Sequence, residues 1–337
     1  MSASLEDPPD RPPQWLRLLV AFMVMVPFIL RLGVVTRPPE ELVRLSPLLE
    51  DDLFYYLGIA RHALSGEGLR ADAVVTTTGF QPLQLLWAAV VSAPFPYGSR
   101  WPVSLMLISQ VLVSFLALAL AHRLVGRLYG GIAAGVASLG FAWWLGMLRY
   151  GNNGLETPLV FVAVLGVLDL AHRFFQRPEA SAGFRLGLAL AAAAWVRLDL
   201  LAFTGALGLV TLTLGRGAAG QGGWGAAGRL AAVVLPPAVA VALQAAFNRA
   251  VGGGWLPDSG AAVRALGPLY MDAFQGGAST PWALMRAGAV VASDLPLAQP
   301  LALLPLGTRA VAVAALLATG ACIGALGWRR AGHPLPV

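Results

Sequence analysis

Apolar blocks almost free of charged residues, each about 20 residues long, recur along most of the chain and constrain its fold more than any other feature. A helix of that length crosses the roughly 30 Å hydrocarbon core of a bilayer. The blocks cover residues 15–35, 79–97, 101–121, 128–148, 155–171, 186–214, 230–251 and 310–328, with a weaker stretch over 282–306. They predict an all-α fold: a polytopic transmembrane helix bundle with about eight to ten membrane segments.

The composition excludes a soluble globular protein. Of the 337 residues, 57% are hydrophobic and 12% are charged, and the mean hydropathy is +0.70. Soluble domains carry about 25% charged residues, and one core in a chain of this length cannot bury so much apolar surface. The chain contains arginine but no lysine and is rich in Ala, Gly, Pro and Leu. This amino-acid usage is typical of a GC-rich bacterial genome. Together with the apolar blocks, it leads us to expect a multi-pass protein of a bacterial inner (plasma) membrane.

The sequence divides into a tail and one long apolar region. Residues 1–14 are polar and rich in proline and predict a disordered tail. The block after them is long enough to span, so we interpret it as an uncleaved first helix rather than a signal peptide. Residues 15–330 predict a single transmembrane domain, with a first loop over 36–78 and a second substantial loop over 252–280.

The net charge of +6 does not indicate a nucleic-acid partner. The arginines are scattered between apolar blocks, which is typical of loops that flank membrane spans. Cytoplasmic loops carry the excess of basic residues, which places the loops at 122–127 and 172–185 in the cytoplasm and residues 149–158 on the opposite face. If the first helix runs outward, a simple count of spans places residues 122–129 outside. Either the block at 79–97 enters the membrane and returns, or the charge rule fails here.

The strongest candidate for chemistry is the run Glu50-Asp51-Asp52-Leu53-Phe54-Tyr55-Tyr56. It opens a short amphipathic helix predicted over residues 51–65, which would lie at the membrane surface. Acids in a first helical turn stabilise the helix N-terminus, and for Glu50 this interpretation is favoured. Asp51 and Asp52, beside two tyrosines, exceed what a cap requires. Either could act as a general base that accepts a proton from a hydroxyl nucleophile.

Three other polar motifs interrupt the apolar blocks. Residues 76–83 read Thr-Thr-Thr-Gly-Phe-Gln-Pro-Leu and either cap the next helix or offer hydrogen-bonding groups such as Gln81 to the acidic helix. Residues 150–158 contain Asn153 and Glu156 and on their own favour a turn that starts a helix. Residues 247–264 are dense in glycine and predict an irregular loop, in which Arg249 and Arg264 either bind phosphate or lie at the interface.

Arg197 and Asp199 lie inside the apolar block at 186–214. Ionisable residues inside a membrane are costly and usually face a partner or an aqueous cavity. Residues two apart do not face each other on an unbroken helix. Either the helix breaks at this pair, giving two short half-helices, or each residue has another partner, which is an ion pair with another helix or a substrate.

Several familiar motifs are absent from the sequence. It contains no P-loop, no Rossmann glycine fingerprint, no His/Cys metal spacing and no Ser-His-Asp order. This argues against an ATPase, a soluble type of nucleotide-sugar enzyme and a zinc protease.

Taken in order, the polar motifs resemble those of the GT-C superfamily of membrane glycosyltransferases, and more closely its bacterial members with an Asp-Asp-x-Phe-Tyr-Tyr opening. The similar elements are Asp51-Asp52-Leu53-Phe54-Tyr55-Tyr56, Thr78-Gly79-Phe80-Gln81-Pro82-Leu83, Gly154-Leu155-Glu156-Thr157, Arg197-Leu198-Asp199 and Pro257-Asp258-Ser259-Gly260. The resemblance covers about residues 15–265.

This resemblance implies transfer of a sugar from a polyprenyl-phosphate carrier to a glycan, lipid or protein acceptor of the cell envelope, with inversion, on the extracytoplasmic side. It implies a base in a long first extracytoplasmic loop, which corresponds here to Asp51 or Asp52. The positions implied to bind substrate are Tyr55, Gln81, Asn153, Glu156, Arg197, Asp199, Ser259 and Arg264. No cofactor is expected, and a divalent metal is not indicated.

The chain departs from the resemblance in two respects. A lysine commonly follows the Pro-x-Ser-Gly element, and only Arg264 is available here; members are also often longer. The phosphate would be held by one or more of Arg61, Arg149, Arg197 and Arg264, because guanidinium matches phosphate oxygens bidentately. The alternative is a non-catalytic transporter or a scaffold subunit for lipid-linked glycans. A transporter would place its ionisable groups near the midplane on broken helices.

Overall fold

The computed structural model describes residues 14–44, 49–72, 75–144, 151–177, 179–214 and 226–258. Apart from Trp144, all of them belong to one compact unit, Met1–Trp143 with Met147–Ala265, and the description below concerns this unit. Within these ranges the regular structure is helical, and a single antiparallel bridge joins Arg70 and Thr76. The predicted all-α fold is confirmed for the described residues.

Ten helices are present in these ranges, and prolines begin several of them. Pro82, Pro102 and Pro158 occupy the first turns of their helices, where a missing N–H costs nothing. The helices are α1 (Gln14–Val35), α2 (Pro39–Arg44), α3 (Asp51–Leu64), α4 (Pro82–Ser92), α5 (Trp101–Tyr129), α6 (Gly131–Trp143), α7 (Thr157–Gln176), α8 (Ala180–Val196), α9 (Leu200–Leu214) and α10 (Ala226–Gly252).

Four helices, α1, α5, α7 and α10, are long and apolar enough to cross a membrane. The helices α4, α6, α8 and α9 are apolar but shorter. Large apolar side chains such as Phe22, Ile29, Leu112 and Leu235 are exposed on the long helices, as expected of surfaces that face lipid. The chain is therefore a helical membrane protein with several spans.

One predicted block and one predicted gap between blocks differ from the helices observed. The block at 79–97 forms only α4, whose 11 residues extend about 16 Å and cannot cross a bilayer. The gap predicted at 122–127 does not exist, because α5 continues through Arg123 and Arg127 to Tyr129. Long arginine side chains reach the interface from inside a helix, so a basic residue does not have to end a span.

The block at 186–214 breaks at the charged pair, as one of the two alternatives predicted. Helix α8 ends at Val196 and α9 begins at Leu200, so Arg197, Leu198 and Asp199 form the joint between them. The predicted surface helix over residues 51–65 is present as α3, and the first apolar block is present as α1. The predicted segments at 282–306 and 310–328 lie outside the described residues.

Both ends of the α4 segment return to α3. The backbone N–H of Gln81, before α4, donates to the hydroxyl of Tyr56, and the guanidinium of Arg61 donates to the carbonyl of Ser99, after α4. Helix α5 then starts on the same side, where Arg100 pairs with Glu40 in α2. This arrangement favours the alternative in which the block at 79–97 enters and returns.

Two apolar cores hold the unit together. The first lies between α1, α3, α4 and α5, around fully buried Leu53, Ile59, Met106 and Leu107. The second lies between α7, α8 and α10, around Val167, Leu186, Leu190 and Val233. The polar segments that join the helices of both cores lie at one end of the bundle, which we call the site end.

Candidate functional site

The first turn of α3 lies directly on the turn that precedes α7. The backbone N–H of Glu50 donates to the carbonyl of Asn153 at 3.0 Å. Fully buried Leu53 covers Gly154, whose φ is +95°, and a Cβ at Gly154 would come within 3 Å of the Leu53 side chain. This close contact brings the acids at the start of α3 beside Glu156.

Two buried glutamines also bind the turn that precedes α7. The Gln84 side chain, on α4, donates to the carbonyl of Gly154 at 2.9 Å. The Gln110 side chain, on α5, donates to the carbonyl of Leu155 at 2.7 Å and accepts the N–H of Gly154 at 3.1 Å. The two amides therefore set the position of Glu156. A buried amide in an apolar helix needs such hydrogen-bond partners.

The two tyrosines of α3 bind the segment that leads into α4. The Tyr55 hydroxyl is 2.9 Å from the Thr77 hydroxyl, and the Tyr56 hydroxyl accepts the N–H of Gln81 at 3.1 Å. Burial raises the pKa of both tyrosines, so both hydroxyls remain protonated at neutral pH. Tyr56 was not among the predicted site residues, although it stood in the motif.

The joint between α8 and α9 completes the cluster. The Gln81 side-chain oxygen accepts the N–H of Leu198 at 3.1 Å. The Arg197 guanidinium lies 3.2 Å from a Glu156 carboxylate oxygen, and its Nε lies 3.0 Å from each carboxylate oxygen of Asp199. Arg197 and Asp199 pair with each other because the backbone between them is not helical.

The segment after α10 also contacts the cluster. The N–H of Thr78 donates to the Asp258 carboxylate at 2.7 Å, and the N–H of Asp258 donates to the Thr78 hydroxyl at 3.2 Å. Sequence reasoning named Asp258 only as part of a motif. The signal for it was the one acid in the predicted irregular loop at 247–264.

Charge within the cluster perturbs the two central carboxyl groups. Partial burial raises the pKa of Asp52, and the neighbouring charges of Asp51 and Glu50 raise it further. Burial also raises the pKa of Glu156; Arg197 lowers it in part, and the negative charge of Asp52 adds to the increase. The charge of Asp52 therefore makes Glu156 harder to ionise.

Eight predicted site residues are described, and all lie in this cluster: Asp51, Asp52, Tyr55, Gln81, Asn153, Glu156, Arg197 and Asp199. Their environments differ. Asp51 and Asp52 are exposed, whereas the Glu156 side chain is only 10% exposed. The Asn153 side chain is buried and accepts the N–H of Leu155, so it shapes the turn instead of facing solvent. Ser259 and Arg264 lie outside the described residues, as does Arg149.

An apolar groove runs away from the cluster between α9 and α10. Its volume is about 690 Å³, and its lining includes Leu201, Gly205 and Gly208 on α9 and Val234 and Val241 on α10. The two glycines leave this space open, since nothing lies within 4 Å of a Cβ built on either. Leu201 follows Asp199 by two residues, so one end of the groove meets the charged joint.

Within the described ranges, no three His, Cys, Asp or Glu side chains are grouped so that they could hold a metal ion. The ionic contacts of the cluster are instead those between Arg197 and the carboxylates of Glu156 and Asp199.

Comparison of the chain with protein-family models, with curated proteins and with solved structures finds no match in any of the three.

Proposed function

We propose that the chain is a multi-pass bacterial inner-membrane glycosyltransferase of the GT-C type. It would transfer a sugar from a polyprenyl-phosphate carrier to a cell-envelope acceptor, with inversion. The observation that carries the proposal is the contact of the first turn of α3, which carries Asp52, with the turn that holds Glu156. The Glu156 carboxylate pairs with Arg197 at the end of the bundle where an apolar groove begins. A lipid-linked sugar needs a polar reaction centre and an apolar channel side by side.

Asp52 is the proposed base. It is exposed to solvent yet partly desolvated, and its raised pKa makes its carboxylate a better proton acceptor than an ordinary aspartate. Asp51 is also exposed, and its side chain accepts the N–H of Asp52 at 3.0 Å. We assign to Asp51 the role of a neighbouring negative charge that keeps the Asp52 pKa high.

The reaction follows from these groups. Asp52 takes the proton of the acceptor hydroxyl, and the hydroxyl oxygen attacks the anomeric carbon from the face opposite the lipid phosphate. The bond between the anomeric carbon and the phosphate oxygen breaks, and its electron pair remains on the phosphate. The configuration at the anomeric carbon is thereby inverted. A cation near the departing phosphate stabilises the charge that develops.

Arg197 is the cation that the described residues offer at this place. Among the described residues, the ionic partners of its guanidinium are carboxylates: Glu156 holds one Nη, and Asp199 holds Nε and the other Nη. Asp199 is 63% exposed, so it is the partner that a phosphate would replace with least cost. Buried Glu156 would then keep the guanidinium in position.

The groove between α9 and α10 is the proposed place of the isoprenoid chain. Its apolar lining suits a hydrocarbon, and its volume falls in the range of ligand sites, about 300–1,000 Å³. The phosphate at the head of such a chain would lie beside Arg197, because the groove begins at Leu201.

The base is tested with purified full-length protein and a polyprenyl-phosphate sugar. We expect Asp52→Asn to lower kcat by about 10²- to 10⁴-fold, the usual contribution of a general base. Glu41→Gln is the matched control: it removes an exposed acid of the same loop whose ionic partner within the described residues is Arg37. Equal turnover in the wild type and in Asp52→Asn would refute the base. A transporter or scaffold would show no sugar transfer in any variant.

The groove is tested separately by filling it. Gly205→Leu with Gly208→Leu should raise KM for a long-chain donor and leave a short-chain, water-soluble donor unaffected. Gly166→Leu on α7 is the control, because a Cβ at Gly166 also meets nothing within 4 Å and lies outside the groove. If both donors respond alike, the groove does not hold the carrier chain.

A further inference from the structure

Three arginines meet one buried carboxylate at the end of the bundle opposite the site end. Asp169 on α7 lies about 18 Å along the helix from Thr157. Its carboxylate is 2.8 Å from Arg173, one turn further on, and 3.9 Å from Arg123 on α5, and it also accepts a hydrogen bond from Arg127 on α5. We call these four residues the arginine cluster.

The arginine cluster holds more positive charge than its carboxylate can balance. Among the described residues, Asp169 is the only acid that pairs with any of the three arginines. One arginine would neutralise it, so two positive charges remain. Within the described part of the chain, the buried Nε of Arg173 also has no hydrogen-bond acceptor. An ion pair that only joins α5 to α7 needs neither the extra charges nor a free donor.

The position of the arginine cluster is that of a membrane interface. It lies in the last turns of α5 and α7, two helices long enough to span. The three arginine side chains are 37–47% exposed. Exposed apolar side chains lie next to them in sequence, namely Leu128, Tyr129 and Phe175.

We propose that the arginine cluster binds the phosphate of an anionic phospholipid headgroup. Guanidinium groups present paired N–H donors that match phosphate oxygens. Basic pockets between membrane helices on the cytoplasmic side are suited to such headgroups. The adjacent exposed apolar side chains would contact the acyl chains, which a soluble phosphate does not have. Asp169 orients the arginines and prevents them from repelling one another apart.

The test measures lipid binding to the full-length protein in a neutral detergent. Phosphatidylglycerol and phosphatidylcholine are titrated in parallel and bound lipid is counted by native mass spectrometry. We expect wild-type protein to prefer phosphatidylglycerol, and Arg123→Gln with Arg127→Gln to lose at least about ten-fold in affinity for it.

The control removes two arginines from the same end that form no ion pair within the described ranges, as Arg177→Gln with Arg185→Gln. Equal losses in the two double variants would mean general attraction by a basic surface and would overturn the site. If inorganic pyrophosphate displaces phosphatidylglycerol as well as the lipid itself binds, the ligand is a soluble anion, and this result also overturns the proposal.

A single variant guards against failure to fold. Arg123 is the most distant of the three from Asp169, at 3.9 Å, so Arg123→Gln leaves Asp169 with two partners. It should retain the wild-type melting temperature without lipid and bind phosphatidylglycerol more weakly. Unchanged binding in this folded variant would contradict the proposal.

Discussion

At the scale of single residues, the site depends on groups whose environment was not visible in the motif. Asp51 and Asp52 are adjacent and chemically identical in the motif. Partial burial raises the pKa of Asp52, and the charges of Asp51 and Glu50 raise it further. The burial arises from where α3 lies on the turn at 151–156, because this contact desolvates one side of the helix. Sequence reasoning could name the pair but could not choose between its members.

The choice between them predicts a pH effect. A base works only when it has lost its proton, so activity should fall as the pH drops through the raised pKa of Asp52. Asp51→Asn removes the second cause of that increase, and the Asp52 pKa should then decrease. The acid limb of the kcat profile should move to lower pH, measured with a polyprenyl-phosphate sugar. A limb that stays in place, or that disappears, would reassign the base.

Gly154 predicts a residue-scale effect on stability. Gly154→Ala adds a Cβ that strikes Leu53 at a position with φ of +95°, so strain and overpacking act together. We expect a loss of about 2–4 kcal/mol, seen as a lower melting temperature in detergent.

Gly66→Ala separates the two causes for Gly154. Gly66 also has positive φ, at +80°, but a Cβ there meets nothing within 4 Å. This variant should lose only the backbone contribution, about 1 kcal/mol. Equal melting temperatures for the two variants would mean that α3 does not press on the turn.

At the scale of helices, the sequence predicted elements well where periodicity and length decide them. The first span and the surface helix α3 were predicted, and the break at the Arg197 joint was one of two alternatives. In each case the cause is local: an apolar run, an amphipathic repeat, or a charged pair that an unbroken membrane helix does not tolerate.

Long-range contacts decided the rest. The block at 79–97 carries no charged residue, yet its helix stays short, and Tyr56 and Arg61 bind the chain on either side of α4. The role of Gln84 and Gln110 depends on a turn more than 40 residues further along the chain. Their only trace in the sequence is an amide within an apolar helix, which needs a partner but does not reveal which one.

The contact between α8 and α10 predicts an element-scale effect. A Cβ at Gly187 would lie 2.5 Å from the carbonyl of Ala232 and 2.9 Å from Pro236, so this glycine allows the two backbones to approach. We expect Gly187→Ala to force the helices apart and to lower stability by about 1–3 kcal/mol. Thermal unfolding in detergent measures this loss.

Gly166→Ala on α7 provides the comparison for Gly187. A Cβ at Gly166 meets nothing within 4 Å, and alanine favours a helix interior over glycine by about 1 kcal/mol. Its melting temperature should stay level or rise. If Gly187→Ala behaves like Gly166→Ala, the two helices are not in close contact.

At the scale of the whole molecule, charge is separated between the two ends of the bundle. Most acids of the described ranges lie at the site end, on α2, on α3 and in the loops around them. The opposite end carries Arg123, Arg127, Arg173, Arg177 and Arg185, with Asp169 and Glu179 as its acids. The basic segments at 122–127 and 172–185, which gave conflicting orientations, lie at this same end, because the short α4 adds no span between them. From the positive-inside rule we predict that this end faces the cytoplasm and that the site end faces outside.

This orientation predicts which residues a membrane-impermeant thiol reagent reaches in intact cells. Ser65 is exposed directly after the C-terminus of α3, at the site end of the bundle. Ser181 is exposed in the first turn of α8, at the opposite end. In a Cys322→Ser background, Ser65→Cys should be labelled in intact cells, and Ser181→Cys only after permeabilisation. The same reagent and cells serve both variants, so each controls the other. The reverse pattern would place the site in the cytoplasm, where the proposed acceptor is absent, and labelling of both in intact cells would mean that the two ends do not face opposite sides of the membrane.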